Sequence, residues 1–225
     1  MYEKLLFENP HGQSLPYLKY TPKEAPSEEG YPLVVFMHGY GERGPSDGSE
    51  VDLVAKHGPF KHIAAGTEYP VMMVAPQCPN TNFWPSYVES MNRFLDHVIA
   101  ENKIDTDRIY LTGLSMGGTA TWLWGMGSRE RFAALAPVCG EGITWHGSSL
   151  AKMPIWAFHG DIDETVNPHE SLEMVSRINK RGGNAKLTLL TGVKHNAWTY
   201  AYSGSDLVEW FLTHRLSDRT KPATE

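Results

Sequence analysis

The residues best equipped for chemistry are one serine, one histidine and two aspartates, each directly after an apolar segment. Ser115 lies in the middle of a Gly-x-Ser-x-Gly sequence. Asp161 and Asp163 follow one apolar segment, and His195 follows another further along the chain. A serine hydroxyl becomes a nucleophile when a base takes its proton, and an imidazole, whose ordinary pKa is about 6.5, suits that task. A carboxylate fixes the imidazole tautomer. Together these residue types predict acyl transfer through a serine nucleophile.

The sequence around Ser115 predicts a sharp turn from a strand into a helix. Residues 108–112 are β-branched and apolar, as in a buried strand, and residues 118–124 have the composition of a helix start. At such a turn Gly-x-Ser-x-Gly forms a nucleophile elbow, in which glycines let the backbone close on both sides of the serine. The helix N-terminus then offers N–H groups to an anionic oxygen. The alternative is a glycine-rich turn without a catalytic role. The presence of partner residues for Ser115 decides between the two.

The order of the partners along the chain favours one fold. Serine comes first, then the aspartates, then histidine. This order is found on the α/β-hydrolase fold and differs from those of the two familiar serine protease folds. In an open α/β sheet, the ends of the strands face the crevice where ligands bind. We therefore expect Ser115 and His195 to meet at that edge with one aspartate, and Asp161 and Asp163 both remain candidates.

An early glycine-containing loop is a candidate for the oxyanion hole. Residues 38–41 read His-Gly-Tyr-Gly and follow the apolar segment 32–37. In this type of fold two backbone N–H groups bind the oxyanion, one from the residue after the nucleophile and one from the loop after an early strand. The first is Met116, and the second comes from residues 38–41. The alternative is that these glycines only make a turn.

From Leu33 to Trp198 the chain resembles the phospholipase/carboxylesterase branch of the α/β-hydrolases, which includes dienelactone-hydrolase-like and predicted-peptidase members. The matching segments are 38–44, 113–118, 159–166 and 192–198. The resemblance implies that Asp163 is the catalytic acid and that Tyr40 supplies the second oxyanion N–H. Asp161 would then cap its turn, which is a common role of aspartate.

Three tryptophans and one acid are candidate substrate-binding residues. Trp84, Trp145 and Trp198 lie in predicted loops on the catalytic edge, and Glu141 lies in a short segment between two strands. Trp198 is the first candidate for a wall of the site because it follows His195 by three residues, and Trp84 is the second. Core packing is the alternative for each tryptophan, because aromatic side chains gain large burial energy anywhere. A solvated rim charge is the alternative for Glu141.

The pattern of apolar segments predicts an α/β-hydrolase fold with a mostly parallel sheet of about eight strands and helices on both faces. One domain is expected over residues 1–225, with a frayed tail over about 217–225. Helices are expected after Ser115 and over 87–101, 167–182 and 204–216. The predicted strands are 2–8, 14–20, 33–38, 71–75, 108–112, 133–138, 154–159 and 186–191, the first two forming an antiparallel hairpin.

A cap domain is not expected. Such domains are often inserted after the strand that here is predicted to end near Val138, but only about fifteen residues separate it from the next strand. An uncapped cleft lined with aromatic side chains suits short, medium-length or aromatic acyl esters.

Composition limits the partners. The chain has 225 residues, is 41% hydrophobic and carries a formal net charge of −6, which argues against nucleic acid or an anionic membrane as its main partner. No segment approaches the about 18 apolar residues of a membrane span, and no motif implies a metal or organic cofactor. Cys78 and Cys139 are expected to be reduced thiols of a cytoplasmic protein. The alternative is a secreted protein whose leader has been removed.

The sequence therefore predicts a serine carboxylesterase that forms an acyl-enzyme and uses no cofactor. An acyl-thioesterase or lysophospholipase and a small serine peptidase are alternatives, because acyl transfer is common to all of them. A catalytically silent binding protein is the alternative from a different class. A small-molecule ester is the expected partner, and the sequence sets no oligomeric state.

Overall fold

The computed structural model describes residues 1–220, and its strands form one eight-stranded sheet. The spatial order is β1-β2-β4-β3-β5-β6-β7-β8. The strands are Glu3–Phe7 (β1), Leu15–Tyr20 (β2), Tyr31–Met37 (β3), Met72–Pro76 (β4), Ile104–Leu114 (β5), Ala134–Val138 (β6), Trp156–Gly160 (β7) and Lys186–Leu190 (β8).

Most of the sheet is parallel, as predicted. The terminal hairpin β1–β2 is antiparallel, and β2 also pairs antiparallel with β4. The remaining neighbours, from β4 through β3, β5, β6 and β7 to β8, run parallel. The strands β4, β6 and β7 are buried along their whole length. Continuous apolar segments of this kind are expected where helices cover both faces of a sheet.

Helices cover both faces and enclose two apolar cores. The helices are Gly58–Ala64 (α1), Val88–Glu101 (α2), Met116–Gly127 (α3), His169–Asn179 (α4), Trp198–Ser203 (α5) and Leu207–Leu212 (α6). Side chains of α2, α3 and α4 belong to one core, and side chains of α1, α5 and α6 belong to the other. The predicted two-faced α/β architecture is confirmed.

The C-terminal part differs from the prediction in two places. The helix expected over 204–216 is present but shorter, because α5 ends before Gly204 and α6 covers only Leu207–Leu212. The frayed tail is wrong for its first residues, since Ser217–Thr220 form a short 3-10 turn. Ser217 binds Asp107 through both its backbone N–H and its hydroxyl, which holds this turn against the body of the protein. The remainder of the predicted tail lies outside the described residues.

The parallel pairing brings the carboxyl ends of the central strands to one edge of the sheet. The last residues pair as Met37↔Gly113, Leu114↔Val138, Val138↔Phe158 and Gly160↔Leu190. The segments that follow β3, β5, β6, β7 and β8 therefore leave the sheet side by side. These are the segments that carry the candidate catalytic residues.

The segment between β6 and β7 is short. Its regular structure in the described chain is one 3-10 turn, Thr144–Leu150, which packs against α4. No cap domain is inserted at this point of the described chain, as expected. Among residues 1–220, no helix has the length and apolar character needed to cross a membrane.

Candidate active site

Ser115 occupies a strained turn between β5 and α3. Its φ is 54° and its ψ is −118°, a conformation that residues with a side chain rarely adopt. A methyl group on Gly113 would overlap the carbonyl oxygen of Gly117, and one on Gly117 would overlap that of Met37. Glycine is therefore required on both sides of the serine. The Ser115 N–H donates to the Val138 carbonyl at 2.9 Å, which fixes the turn to β6. Strain of this kind is common at functional sites.

Ser115, His195 and Asp163 form a continuous hydrogen-bonded chain. Ser115 Oγ lies 2.8 Å from His195 Nε2, and His195 Nδ1 lies 2.7 Å from Asp163 Oδ2. In the resting state the hydroxyl donates to Nε2 and the Nδ1–H donates to the carboxylate. The Asp163 side chain is 0% exposed and that of His195 is 20% exposed. The acid is thus shielded from water, while the base remains accessible to a substrate.

Four polar contacts surround the Asp163 carboxylate. Besides His195, the N–H groups of Thr165 and Val166 donate to Oδ1 at 2.8 and 3.0 Å, and His159 Nε2 lies 3.3 Å from Oδ2. Burial would raise the pKa of Asp163. The hydrogen bonds from His195, Val166 and Thr165 outweigh burial and hold that pKa below its usual value. Asp163 is therefore a carboxylate at neutral pH, the form that stabilises an imidazolium.

The other acids near the turn do not contact His195. Asp161 Oδ1 accepts a hydrogen bond from Gly192 N–H at 2.7 Å, so it ties the segment before His195 to the end of β7. Glu164 is exposed and lies 3.8 Å from Lys194 Nζ. Asp161 thus supports the turn before His195 instead of capping its own turn as expected, while Asp163 is the aspartate that contacts His195.

The two predicted oxyanion N–H groups emerge at the same edge of the sheet. Met116 is the first residue of α3, so its N–H has no acceptor within the helix. Tyr40 begins a 3-10 turn two residues after His38, at the end of β3 beside β5. Neither N–H donates to another residue within 1–220. A Cβ on Gly39 would lie 2.8 Å from Leu114 Cδ1, so glycine permits this close approach. That both groups bind one substrate oxygen stays a prediction.

The geometry agrees with the comparison to known proteins. A family model described as phospholipase/carboxylesterase matches residues 23–202. The chain belongs to this family. The sheet and its helices are accordingly an α/β-hydrolase fold, and the family is one of esterases and related hydrolases.

Two relatives and one solved structure illustrate what this member of the phospholipase/carboxylesterase family is similar to. The acyl-protein thioesterase 1 homolog 2 of Dictyostelium discoideum is 25% identical over an aligned length of 209 residues. The match covers 80% of this chain and 92% of that protein. A bifunctional acetylxylan esterase/xylanase of Neocallimastix patriciarum is 32% identical over 77 residues, 34% of this chain. The crystal structure of a thermostable esterase superposes with a TM-score of 0.81 at 29% identity and covers 95% of this chain. The chain spans 12% of the bifunctional enzyme and 63% of the thermostable esterase.

In this family member Arg43 braces residues 38–41, the loop predicted to supply one oxyanion N–H (the oxyanion loop). Its Nε donates to the Tyr40 carbonyl at 3.0 Å, and its Nη1 donates to the Asn80 and Asn82 carbonyls at 3.2 and 2.8 Å. The guanidinium also lies 3.4 Å from the centre of the Tyr40 ring, which is 63% exposed. Glu42 is buried, and burial raises its pKa. Arg43 thus holds Tyr40 to the neighbouring segment.

Trp84 is not a wall of the cleft, contrary to the prediction. It is 1% exposed, and its Nε1–H donates to the His38 carbonyl at 3.0 Å. The indole therefore supports the start of the oxyanion loop from inside the core. This role has no signal in the sequence, because the acceptor is a backbone carbonyl distant along the chain.

Trp198 lies next to His195, the candidate catalytic base. Its ring is perpendicular to that of His195, with 5.4 Å between the ring centroids, and its centroid is also 5.4 Å from that of His57. The indole is half-buried. Of the three predicted tryptophans, Trp198 is thus the one whose ring contacts His195.

Trp145 and Glu141 lie on the segment after β6. Trp145 is 78% exposed and lines a surface pocket of about 290 Å³ with residues of α4 and its C-terminal end, including Arg177 and Arg181. That pocket contains no catalytic residue, so the structure does not bring Trp145 to the triad. Glu141 is exposed, and its backbone N–H donates to Thr119 Oγ1 at 3.1 Å near the start of α3. A substrate contact by Glu141 stays a prediction.

A buried thiol adjoins the triad. Cys139 follows β6 with a φ of 43°, and potential metal-ligand atoms of Cys139, Asp163 and His195 lie within 4.8 Å of one another. The 2.7 Å hydrogen bond between the last two occupies both groups, and burial raises the pKa of the Cys139 thiol, which disfavours the thiolate that a metal requires. These groups fit a triad beside a neutral thiol. Cys78 is likewise a buried free thiol, as expected.

Proposed function

We propose that this protein is a serine carboxylesterase that hydrolyses short, medium-length or aromatic acyl esters through an acyl-enzyme. The observation that carries the proposal is the chain of hydrogen bonds from Ser115 Oγ through His195 to the buried Asp163 carboxylate. The matching family of esterases supports the reaction class. The strained backbone at Ser115 supports its role as the nucleophile.

Acylation begins when Ser115 Oγ attacks the ester carbonyl carbon and its proton passes to His195 Nε2. The carbonyl π electrons move to oxygen, and the resulting oxyanion accepts hydrogen bonds from the N–H groups of Tyr40 and Met116. Collapse of the tetrahedral intermediate breaks the bond to the alkoxide, which takes the proton from His195 and leaves as an alcohol. Removing one oxyanion donor from such a site typically costs about 10²–10³ in turnover.

Deacylation repeats the same steps with water as the nucleophile. His195 takes a proton from water, hydroxide adds to the acyl carbon, and Ser115 Oγ leaves with the proton returned by His195. The products are a carboxylic acid and the regenerated serine. Throughout both steps Asp163 stays ionised and stabilises the imidazolium, consistent with the hydrogen bonds that lower its pKa.

The acyl preference is proposed from the surroundings of His195. Trp198 provides an aromatic surface beside the base, and the short segment after β6 provides no large cover. A long acyl chain needs an extended apolar groove to repay leaving its aggregate, at about 0.8 kcal/mol per buried methylene. Short or aromatic acyl groups need only a local apolar wall.

Acyl-thioester hydrolysis is a second candidate. It is favoured by the Dictyostelium relative, which is named an acyl-protein thioesterase and matches over 92% of its own length. The same nucleophile and oxyanion donors would act on a thioester, because only the leaving group differs. The leaving group must therefore be tested separately from the acyl group.

The test is a matrix of matched oxoesters and thioesters with acyl chains from C2 to C16, plus benzoyl and feruloyl groups, each assayed with wild type, Ser115→Ala and Ser49→Ala. Ser49 is an exposed serine outside the site and serves as the matched control. We expect the highest kcat/KM with oxoesters of short or aromatic acids, abolished by Ser115→Ala alone. A maximum at C12 or longer, or a thioester preference at every acyl length, would favour the lysophospholipase or thioesterase alternative.

A further inference from the structure

We propose that His159 and Ser171 are positioning residues that hold the Asp163 carboxylate in the orientation that His195 requires. A chain of polar contacts would then extend over five side chains, from Ser171 through His159, Asp163 and His195 to Ser115, with His159 and Asp163 in contact at 3.3 Å. This inference rests on the proposed function of the triad and adds support residues behind its acid.

His159 contacts both sides of the catalytic acid. Its Nε2 lies 3.0 Å from the Val166 carbonyl oxygen and 3.3 Å from Asp163 Oδ2. Val166 in turn donates its N–H to Asp163 Oδ1 at 3.0 Å. His159 therefore faces one carboxylate oxygen directly and fixes the residue that binds the other. Both side chains, His159 and Asp163, are 0% exposed, so water does not supply these contacts.

The tautomer of His159 follows from its partners. Nε2 faces two oxygens that can only accept hydrogen bonds, the Val166 carbonyl and the Asp163 carboxylate. Nε2 must therefore carry the proton, because its lone pair would otherwise be repelled by both. Nδ1 lies 2.7 Å from the buried hydroxyl of Ser171, which can donate to it. Ser171 thus satisfies the one ring nitrogen that does not face Asp163.

His159 supports the carboxylate without neutralising it. Burial lowers the pKa of His159, and the imidazole of His195 acts in the same direction, while Val166 and Asp163 counter this. A neutral ring presents an N–H dipole to Asp163, whereas a charged ring would compete with the His195 imidazolium for the same negative charge. Neutral His159 therefore leaves that charge available to the imidazolium formed in catalysis.

The support comes from rigid elements. His159 lies on β7 and is paired with Leu189 on β8, and Ser171 lies in the first turns of α4. Asp163 itself lies in the turn that joins β7 to α4. A loop carboxylate thus takes its orientation from a strand and a helix, which position functional groups more accurately than loops do.

Three variants separate positioning from packing. His159→Leu removes both ring nitrogens, His159→Gln keeps an amide N–H that can reach the Nε2 position, and Ser171→Ala removes only the donor to Nδ1. We expect His159→Leu to lower kcat by about tenfold to a hundredfold, the effect of removing a donor from a buried charged acceptor, with KM nearly unchanged. His159→Gln should recover most of kcat, and Ser171→Ala should cost a few-fold.

A measurement on the wild-type protein tests the same idea without turnover. Selective ¹⁵N labelling of histidine, with the His159 signals assigned by their loss in His159→Gln, reports which ring nitrogen is protonated. We expect protonation at Nε2. The downfield proton signal of the His195–Asp163 hydrogen bond should shift or broaden in His159→Leu, if that variant folds, and return in His159→Gln.

Three results would overturn the positioning role: protonation of wild-type His159 at Nδ1, a folded His159→Leu variant with kcat within twofold of wild type, or a His159→Gln variant as impaired as His159→Leu. If His159→Leu does not fold, the tautomer of wild-type His159 and the activities of His159→Gln and Ser171→Ala still test the positioning role. Absence of esterase activity with protonation at Nε2 would contradict the proposed function while supporting the positioning geometry, so the two failures are distinguishable.

Discussion

The Trp84 indole donates a hydrogen bond to the backbone carbonyl of His38 across 3.0 Å, inside the core and directly behind the oxyanion loop. The two rings are also neighbours, with centroids 5.0 Å apart. His38 in turn accepts the Cys78 N–H at Nε2 and bonds the Gly39 carbonyl through Nδ1. The backbone that leads to Tyr40 is therefore fixed by buried polar contacts on each side.

Trp84→Phe should weaken the oxyanion loop instead of a substrate pocket. It leaves the buried His38 carbonyl without its donor, which we expect to lower the free energy of unfolding by about 1–3 kcal/mol. The loss of kcat/KM should be similar for acetate and benzoate esters, because the oxyanion is common to both. Urea denaturation and steady-state kinetics with the two esters measure these effects.

Trp122→Phe is the matched control for Trp84→Phe. Trp122 is equally buried, but its Nε1–H has no hydrogen-bond partner within the described residues. Its replacement removes similar volume without losing a hydrogen bond, so the stability loss should be smaller. A loss of activity in Trp84→Phe that is confined to aromatic esters would contradict the support role and restore Trp84 as a pocket residue.

Asp163→Asn and Asp161→Asn should differ greatly. The amide at position 163 would favour the wrong imidazole tautomer and lower kcat by up to about 10⁴. Asp161→Asn retains an acceptor for the Gly192 N–H, so we expect less than about a tenfold loss of kcat. Steady-state kinetics of the two purified variants measure these losses of kcat. Equal small losses would show that Asp163 is not the catalytic acid.

Trp198→Ala should change acyl selectivity. Removing the indole beside His195 takes away an apolar wall, so we expect KM for benzoate esters to rise roughly fivefold, the equivalent of about 1 kcal/mol, with a smaller change for acetate. Trp145→Ala is the control, because Trp145 is exposed and lies away from the triad. Equal changes of KM for both esters in Trp198→Ala would contradict a role in selectivity.

His38 makes the fold sensitive to acid. Burial lowers the pKa of His38 to about 4, whereas an unfolded histidine titrates near 6.5. Above that range the ring is neutral in both states. As pH falls from about 6.5 to 4, only the unfolded chain gains the proton, so unfolding free energy falls by up to about 1.4 kcal/mol per pH unit, or about 3 kcal/mol in all.

His38→Gln should therefore show a shallower loss of stability over this pH range. Urea denaturation between pH 7 and pH 4 measures the slope, and exposed His11→Gln serves as the control that should match wild type. Burial also lowers the pKa of His159, so part of the acid sensitivity should persist in His38→Gln. Identical slopes in wild type and His38→Gln would contradict a neutral buried His38.

The sheet and the triad geometry were accessible from the sequence because local patterns determine them. Continuous apolar segments predicted the strands, and the glycines around Ser115 with the chain order of serine, aspartate and histidine predicted that Ser115 and His195 would meet. The choice of Asp163 over Asp161 came from the family resemblance. The role of Trp84 was not accessible, because its partner is a backbone carbonyl far away in sequence. His159 begins one of the segments that carry the resemblance, but its role could not be predicted, since it depends on contacts with Ser171 and Asp163 in the folded chain.

The two errors at the C-terminus have different causes. The predicted helix over 204–216 starts too early, because the Gly204 N–H donates to the Tyr200 carbonyl and Gly204 therefore ends α5. The polar composition from Ser217 onward predicts a frayed tail, but Ser217 is held by Asp107, a residue of β5. Polar composition alone does not reveal a long-range hydrogen bond of this kind.

The central claim is that Ser115 is a nucleophile activated by His195. The most direct measurement is stoichiometric labelling with a fluorophosphonate, read by intact mass and peptide mapping, in wild type, Ser115→Ala and His195→Ala. We expect one adduct per chain on Ser115 in wild type, none at that position in Ser115→Ala, and labelling slower by several orders of magnitude in His195→Ala. An unlabelled Ser115 in folded wild-type protein, or equal labelling without His195, would contradict the account.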